Sequence, residues 1–248
     1  MSSAPDARRY FVVGAETALS HQLNDLARQT TPGVDTRAFR AAVNYLATGE
    51  PPPDARAVLC AFRELGQPFR DGRFFPFAAD RMAEISGKSL ASFTTVVTIA
   101  PLTDLRIGSS TDRLKEMFAS QSWERLYDAS WADLVERIME VLNGQPLLVL
   151  TPRGAALQSS AVMRLMFGAN WKTPRCLLTG ALPPAGQGAL EKLIEAGRMD
   201  AIPELYDRMA IRRSASDVGL EDVTFDLLQD RFAEDVARIA QMPGVDLV

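Results

Sequence analysis

The sequence predicts an α/β fold of three layers, with helices on both faces of a mainly parallel sheet of four or five strands. Short runs rich in apolar and β-branched residues recur at 10–13 (YFVV), 57–62 (AVLCAF), 93–99 (FTTVVTI) and 147–150 (LLVL). Strands buried on both faces read this way. Segments with apolar residues three and four apart separate them, the period of a helix with one buried face. Alternation of the two patterns builds a parallel sheet covered on both sides.

The first strand, 10–13, stops at Gly14. A helix follows over about 17–29, with Leu19, Leu23 and Leu26 roughly one turn apart, and Thr30-Thr31-Pro32-Gly33 ends it. Asp35 or Thr36 is placed to cap a second helix through Phe39, Val43 and Leu46. Pro51-Pro52-Pro53 stops that helix, because consecutive prolines cannot continue it. A second strand is expected at 57–62 and a loop over 66–75. A third helix over about 76–85 starts at Pro76, where a missing N–H costs nothing.

The 93–99 run is the strongest strand by β-branched content; Pro101 marks its end, and a helix is expected over about 104–118. Ser130 is placed to cap a helix over 131–142, whose Trp131, Leu134, Val135, Ile138 and Leu142 share one face, and Asn143-Gly144 closes it. A fourth strand at 147–150 leads to a helix over 156–167. Beyond Gly168 come a Pro/Gly loop over 179–188, helices over 189–196, 202–212 and 227–242, and a short strand at 245–248. No internal repeat is visible, and 1–248 reads as a single domain.

The chain has 248 residues, 47% of them hydrophobic, enough for a sizeable core. A net charge of −4 argues against a general nucleic-acid or anionic-membrane surface. The two cysteines, Cys60 and Cys176, stand among apolar residues and read as buried reduced thiols. With no disulfide framework, no signal-peptide pattern and no apolar run of ~20 residues, the expectation is a soluble cytoplasmic protein. One histidine and two distant cysteines do not supply the several N and S ligands that zinc takes, so no metal is expected.

The strand–glycine–helix unit at 10–28 has the scaffold of an anion site, because a helix N-terminus presents unpaired N–H groups and a partial positive charge. No Lys or Arg occurs from Gly14 to Gln22, and Glu16 stands where an anion would land. Glu16 and Thr17 serve equally well as a helix-opening pair.

Several segments resemble one family, the bacterial sulfotransferase-like proteins of the P-loop fold. In the C-terminal run 227–248, Ile239, Met242, Pro243, Gly244 and Val245 stand in the places of an "I-x-x-(L/M)-P-G-V" ending. Ser130-Trp131-Ala132-Asp133 opening a helix before a Pro146-led strand is similar to the family, as is the segment 74–87 before and through a helix. The resemblance covers nearly the whole chain. It implies a P-loop sheet and transfer of a sulfuryl group from 3′-phosphoadenylyl sulfate (PAPS) to a hydroxyl or amine.

The first loop resembles "G-x-x-K-T-(A/G)-T-T-x-L-Q". Gly14, Thr17, Ala18, Ser20 and Gln22 match it with one residue deleted, and the lysine falls in that gap. The family's second donor element is a strand-end Arg followed about eight residues on by a Ser, both on the 3′-phosphate. Here Ala100-Pro101 replaces the Arg; Ser109 lies near the serine position and Arg106 is the nearby substitute. The base expected after the second strand is replaced by Phe62, with Glu64 displaced from it and His21 beside the donor loop as the other candidate.

The resemblance therefore implies cofactor groups at Gly14, Thr17, Ser20, Arg106 and Ser109 and a catalytic group at Glu64, with PAPS as cofactor if the chain is active; His21 is a candidate base by its place beside the donor loop and reads more simply as a helix-surface or packed histidine. Removing one positioned donor from a transition state costs on the order of 3 kcal/mol, and here both major cations and the usual base are missing. The expected function is a sulfotransferase-like protein with a decayed donor site, acting as a binding or accessory protein. The alternatives are a divergent active transferase for a glycan or small-molecule hydroxyl, and a protein-interaction module. Arg70, Arg73 and Arg81 around Phe69, Phe74, Phe75 and Phe77 would grip an acidic glycan, a phosphate or a protein partner's carboxylates. They read equally as a solvated loop edge over a hydrophobic anchor.

Overall fold

The computed structural model describes residues 9–30, 57–60, 65, 69–89, 93–105, 118–119, 123–167, 182–209 and 214–248. The strands are β1 (Arg9–Gly14), β2 (Ala57–Cys60), the short pair β3 (Phe69–Arg70) and β4 (Arg73–Phe74), β5 (Phe93–Thr98), β6 (Leu147–Leu150) and β7 (Val245–Leu247). The helices are α1 (Ala18–Thr30), α2 (Ala78–Ser89), α3 (Trp123–Asp128), α4 (Trp131–Leu142), α5 (Pro152–Leu157), α6 (Ser159–Phe167), α7 (Pro184–Glu195), α8 (Ile202–Met209), α9 (Ala215–Val218) and α10 (Asp222–Ile239).

Five strands form one sheet in the order β2-β1-β5-β6-β7, and every neighbouring pair is parallel. The register sets Val12 beside both Cys60 and Val96, and Val97 beside Val149. Successive strand residues point to opposite faces, and the two faces bury separate cores. Phe11, Val13, Val97, Leu147 and Val149 pack with α2, α4 and α10 through Met82, Leu134, Val135, Ile138, Leu228 and Ile239. Tyr10, Val12, Val58, Cys60, Val96, Leu148 and Leu150 pack with α1 and α6 through Leu19, Leu23, Val162, Met163 and Met166. Burial on both faces is why these strands are apolar at almost every position. α7 and α8 add a smaller cluster of Leu182, Leu190, Ile202 and Tyr206 against Ala156 of α5.

α4 shows how local signals and packing agree. The Ser130 side chain accepts from the Asp133 N–H at the N-terminus, and Asn143, left-handed at φ 49°, closes the C-terminus. Leu134, Val135 and Ile138 are fully buried. Truncating Leu134 or Ile138 to alanine would cost about 2–5 kcal/mol.

Elsewhere the chain departs from the sequence expectation. The helix expected over 156–167 is two, α5 and α6, broken at Gln158. α5 begins earlier because the Thr151 side chain accepts from the Gly154 N–H at 2.9 Å and Pro152 fills the first helical position. The loop expected over 66–75 contains the β3–β4 hairpin, whose turn Asp71-Gly72 takes φ of 50° and 75°. Positive φ at both central residues is what a two-residue hairpin turn needs. α7 begins at Pro184, inside the expected Pro/Gly loop, and α10 runs over Asp222–Ile239 rather than 227–242. α3 and α9 were not anticipated. The helix expected through Phe39, Val43 and Leu46, nearly all of that over 104–118, and Cys176 lie outside the described residues. No helix among the described residues is long and apolar enough to cross a membrane.

In sheet strands alone the order reads 2-1-3-4-5, the order of doubly wound folds. Such folds place ligands outside the carboxyl ends of the strands where the winding direction reverses. Here that point lies between the ends of β1 and β5, at Gly14 and Thr98.

Candidate functional site

The switch point is closed by the chain itself. The Ala15 N–H donates to the Thr98 carbonyl at 2.8 Å, which continues the β1–β5 pairing beyond the strand end. The Thr98 hydroxyl donates between the Val13 and Ala15 carbonyls at 3.2 and 3.1 Å. Gly14 sits beneath this clasp at φ 111°, and a Cβ there would collide with the Thr98 carbonyl oxygen and approach its nitrogen to 2.9 Å. Glycine is required at this position both for the backbone conformation and for the close approach.

Thr17 and Ser20 open α1 by bonding each other. The Thr17 hydroxyl oxygen accepts from the Ser20 N–H at 3.3 Å, and the Ser20 oxygen accepts from the Thr17 N–H at 2.7 Å. The Ser20 hydroxyl then donates to the Thr17 carbonyl at 2.8 Å. This is the logic of a capping box, with serine in place of the usual Glu or Gln. Thr17 is 4% exposed and Ser20 1%. Both hydroxyls expected on a phosphate are therefore engaged inside the helix start. Glu16 is half-buried in the same turn, and His21 is exposed on α1 one turn from Thr17. Arg153, in the first turn of α5, makes a two-pronged contact with Asp207 of α8 at 3.0 and 2.9 Å; that hydrogen bonding raises its pKa. Glu64, Arg106 and Ser109 lie outside the described residues. Among the described residues no group of His, Cys, Asp and Glu could hold a metal ion.

The hairpin is built differently. Its anchors are aromatic: Phe69 meets Phe74 edge-on at 6.0 Å, and Phe74 stacks on Trp131 with centroids 3.9 Å apart. Phe69, Phe74, Phe75 and Trp131 are all buried. Arg137 of α4 donates to the Phe74 and Phe75 carbonyls at 2.6 and 3.1 Å. Burial lowers the pKa of its guanidinium, and the nearby charge of Arg73 lowers it further. The aromatic stack and this clamp hold the backbone, leaving the strand-paired Arg70 and Arg73 exposed.

Arg73 lines two clefts. One, of about 480 Å³, is shared with Arg70, Asp71, Pro76 and Phe77. The other, of about 350 Å³, lies against α4 with Ser130, Asp133, Glu136 and Arg137. Arg70 pairs with Asp71 at 3.3 Å, Arg81 with Glu84 at 3.3 Å, and Arg125 of α3 reaches Asp71 at 3.2 Å. These are exposed pairs, each contributing about 0–1 kcal/mol. Arg73 has no ion pair among the described residues. Of the expected cluster of Arg70, Arg73 and Arg81, the structure brings Arg70 and Arg73 together with Phe77 in one cleft, while Arg81 pairs with Glu84 on α2.

One buried carboxylate supports this side of the molecule and was not anticipated. Asp235 of α10, 1% exposed, accepts from the Ser130 hydroxyl and the Trp131 N–H, each at 2.6 Å. It caps the N-terminus of α4 from another helix, directly under the aromatic stack. Burial pushes its pKa up, against hydrogen bonds and the Arg231 charge pulling it down. The signal was present in the sequence: Leu228, Asp235 and Ile239 fall at helical spacing on one buried stripe. A lone acid on such a stripe calls for a buried partner.

No family model, no curated protein and no solved structure matches the chain.

Proposed function

We propose that this chain is a binding or accessory protein of the sulfotransferase-like kind, its donor site decayed, with the β3–β4 hairpin as its contact surface. The reciprocal Thr17–Ser20 cap carries the reading. The two hydroxyls that the family resemblance would put on the donor's phosphates are buried and hydrogen-bonded to the chain. Gly14, which would let a phosphate approach the backbone, is packed under Thr98 instead. A phosphosulfate would have to break the cap, worth about 1 kcal/mol, and would meet no lysine in the loop. The hairpin, by contrast, offers an arginine without an ion pair beside an exposed aromatic ring, a combination suited to acidic groups on a glycan or a protein.

The test is calorimetry with 3′-phosphoadenosine 5′-phosphate, the stable product nucleotide, at low salt, with the Thr17→Ala, Ser20→Ala double variant alongside. No heat of binding at millimolar nucleotide is expected from either protein. Micromolar binding by the parent chain, lost in the variant, would overturn the reading and return the loop to donor chemistry.

A further inference from the structure

The chain has four asparagines, and Asn143 is the one followed by glycine; the others precede Asp25, Tyr45 and Trp171. The side-chain amide of an asparagine is open to attack by the backbone nitrogen of the next residue. A side chain on that residue hinders the approach, and glycine has none. Asn143 and Gly144 are both exposed. Nothing lies within 4 Å of the place a Cβ would take on Gly144. The Gly144 N–H has no backbone partner among the described residues.

The closed helix nevertheless holds the two reacting atoms apart. Asn143 is left-handed, with φ 49° and ψ 54°, a conformation asparagine tolerates. For an L-residue at that ψ, the following nitrogen stands anti to Cβ across the Cα–C bond. The Gly144 nitrogen is therefore turned away from Asn143 Cγ, and no side-chain rotamer brings the two together. Reaction requires the Cα–C bond to swing round. Two hydrogen bonds resist that: the Asn143 N–H donates to the Met139 carbonyl at 3.1 Å, and the Gln145 N–H to the Leu142 carbonyl at 3.2 Å. Buried Leu142 pins the last turn of α4. The Leu147 N–H, bonded to the Gly244 carbonyl at 3.1 Å, fixes where β6 begins.

We infer that Asn143-Gly144 is a deamidation site gated by the fold, protected while α4 is closed and converted when its last turn opens. In the open form the Gly144 nitrogen gives up its proton to hydroxide and attacks Asn143 Cγ. The bond from Cγ to the side-chain nitrogen breaks, and that nitrogen takes a proton from water and leaves as ammonia. A cyclic imide remains. Water then adds to one of its two carbonyls. Opening at Cγ leaves aspartate; opening at the main-chain carbonyl leaves isoaspartate, with the chain running on through Cβ. Water is the only reactant consumed, and nothing is oxidised or reduced.

The product does not close as the parent does. Either form sets a carboxylate at the carboxyl end of α4, where the helix dipole is already negative and exposed Glu140 stands one turn back. Isoaspartate also lengthens the main chain between α4 and β6, which displaces the Gln145 bond and the approach to Leu147. Each opening that reacts is recorded permanently.

The experiment follows the full chain at mildly alkaline pH by peptide mapping that resolves the asparagine, aspartate and isoaspartate forms at 143. It is run in native buffer and in denaturant. Conversion at Asn143 is expected to be at least about tenfold faster in denaturant, where opening no longer limits it. Leu142→Ala removes the pin and leaves the reacting groups alone. It is expected to raise the native rate severalfold and to leave the denatured rate unchanged. If that variant does not fold, the parent chain below its unfolding midpoint replaces it, and its rate is expected to climb ahead of global unfolding. Gly144→Ala is expected to slow the denatured rate severalfold. Equal rates in native buffer and in denaturant would mean that the left-handed turn is no gate, and would overturn the inference. A native rate indifferent both to Leu142→Ala and to mild denaturant would do the same, as would faster conversion at another asparagine in the denatured chain.

Discussion

The β1–Gly14–α1 turn and the β3–β4 hairpin use hydrogen bonding in opposite directions. At the turn, these groups bond inward: Ala15 to Thr98, the Thr98 hydroxyl to two carbonyls, and Thr17 and Ser20 to each other. At the hairpin, aromatic stacking and the Arg137 clamp hold the backbone, Asp71 pairs with Arg70 and Arg125, and Arg73 is left exposed with no ion pair among the described residues. A strand–glycine–helix sequence builds a tight corner at the sheet end whether or not an anion ever binds there. Recognition requires polar groups that the fold itself does not use; the corner spends the Thr17 and Ser20 hydroxyls on its own backbone, whereas the hairpin keeps Arg73 exposed and without an ion pair among the described residues.

The most severe way to break this contrast is Gly14→Ala. The new methyl group would collide with the backbone of Thr98, which cannot swing aside, and an L-residue would be held at φ 111°. Strain of this kind costs on the order of 3 kcal/mol. Denaturant unfolding should report a loss of about that size, with the hairpin left in place at temperatures where the variant remains folded. A loss under about 1 kcal/mol would mean that the corner can open, and the closed donor site would have to be reconsidered.

Asp235 sharpens the comparison from the hairpin side, because it supports the aromatic stack through Ser130 and Trp131. Replacement by alanine strands a buried hydroxyl and a buried N–H, a loss on the order of 3 kcal/mol. The pH dependence is more telling. Burial raises the folded-state pKa of Asp235 above the ordinary carboxylate value of 3.8. Between that value and the raised one, the folded state holds more protons than the unfolded state, so stability falls as pH rises through the interval. Below 3.8 the group contributes its full share. Asp235→Asn keeps the shape, accepts from the Trp131 N–H through its one carbonyl oxygen and donates from its amide to the Ser130 hydroxyl in the reverse sense, and should flatten this part of the stability profile while leaving the hairpin in place. A variant whose profile still falls by the same amount would assign the proton linkage to another group.

Local signals account for what the sequence made legible. α4 was anticipated residue for residue because Ser130, the 3.6-residue stripe and Asn143-Gly144 each mark it independently. The parallel sheet is legible for a similar reason, β1, β2 and β6 being apolar on both faces and β5 rich in β-branched residues. The hairpin is hard to see in the sequence because its Arg, Gly and Phe content reads as a loop, although Asp71-Gly72 between two Phe/Arg pairs carries the turn signal. The start of α5 lies ahead of the expected helix because its signals are the Thr151 cap and Pro152 at the first helical position, not an apolar period. The bond from Ser130 to Asp235 spans 105 residues, and no local pattern specifies such a partner. Thr17 and Ser20 are the instructive case. Hydroxyls three apart at a helix start suit both a phosphate and a cap, and the choice between those uses is made by the tertiary closure at Thr98, which a local window does not contain.

The smallest expected effects separate the two regions most cleanly, because they ask what each side chain does for the fold. Ser20→Ala removes one half of the reciprocal cap and leaves the buried Thr17 N–H without its 2.7 Å acceptor. A loss of about 1 kcal/mol is expected. Arg73→Ala removes an exposed charge with no ion pair among the described residues, and also relieves the charge that depresses Arg137. Its expected effect on stability lies within about 0.5 kcal/mol of zero. Measured side by side by chemical denaturation, the two changes should rank serine above arginine for stability and arginine above serine for association. If Arg73→Ala proves the more destabilising, that arginine belongs to the scaffold and the hairpin loses its claim as a recognition surface.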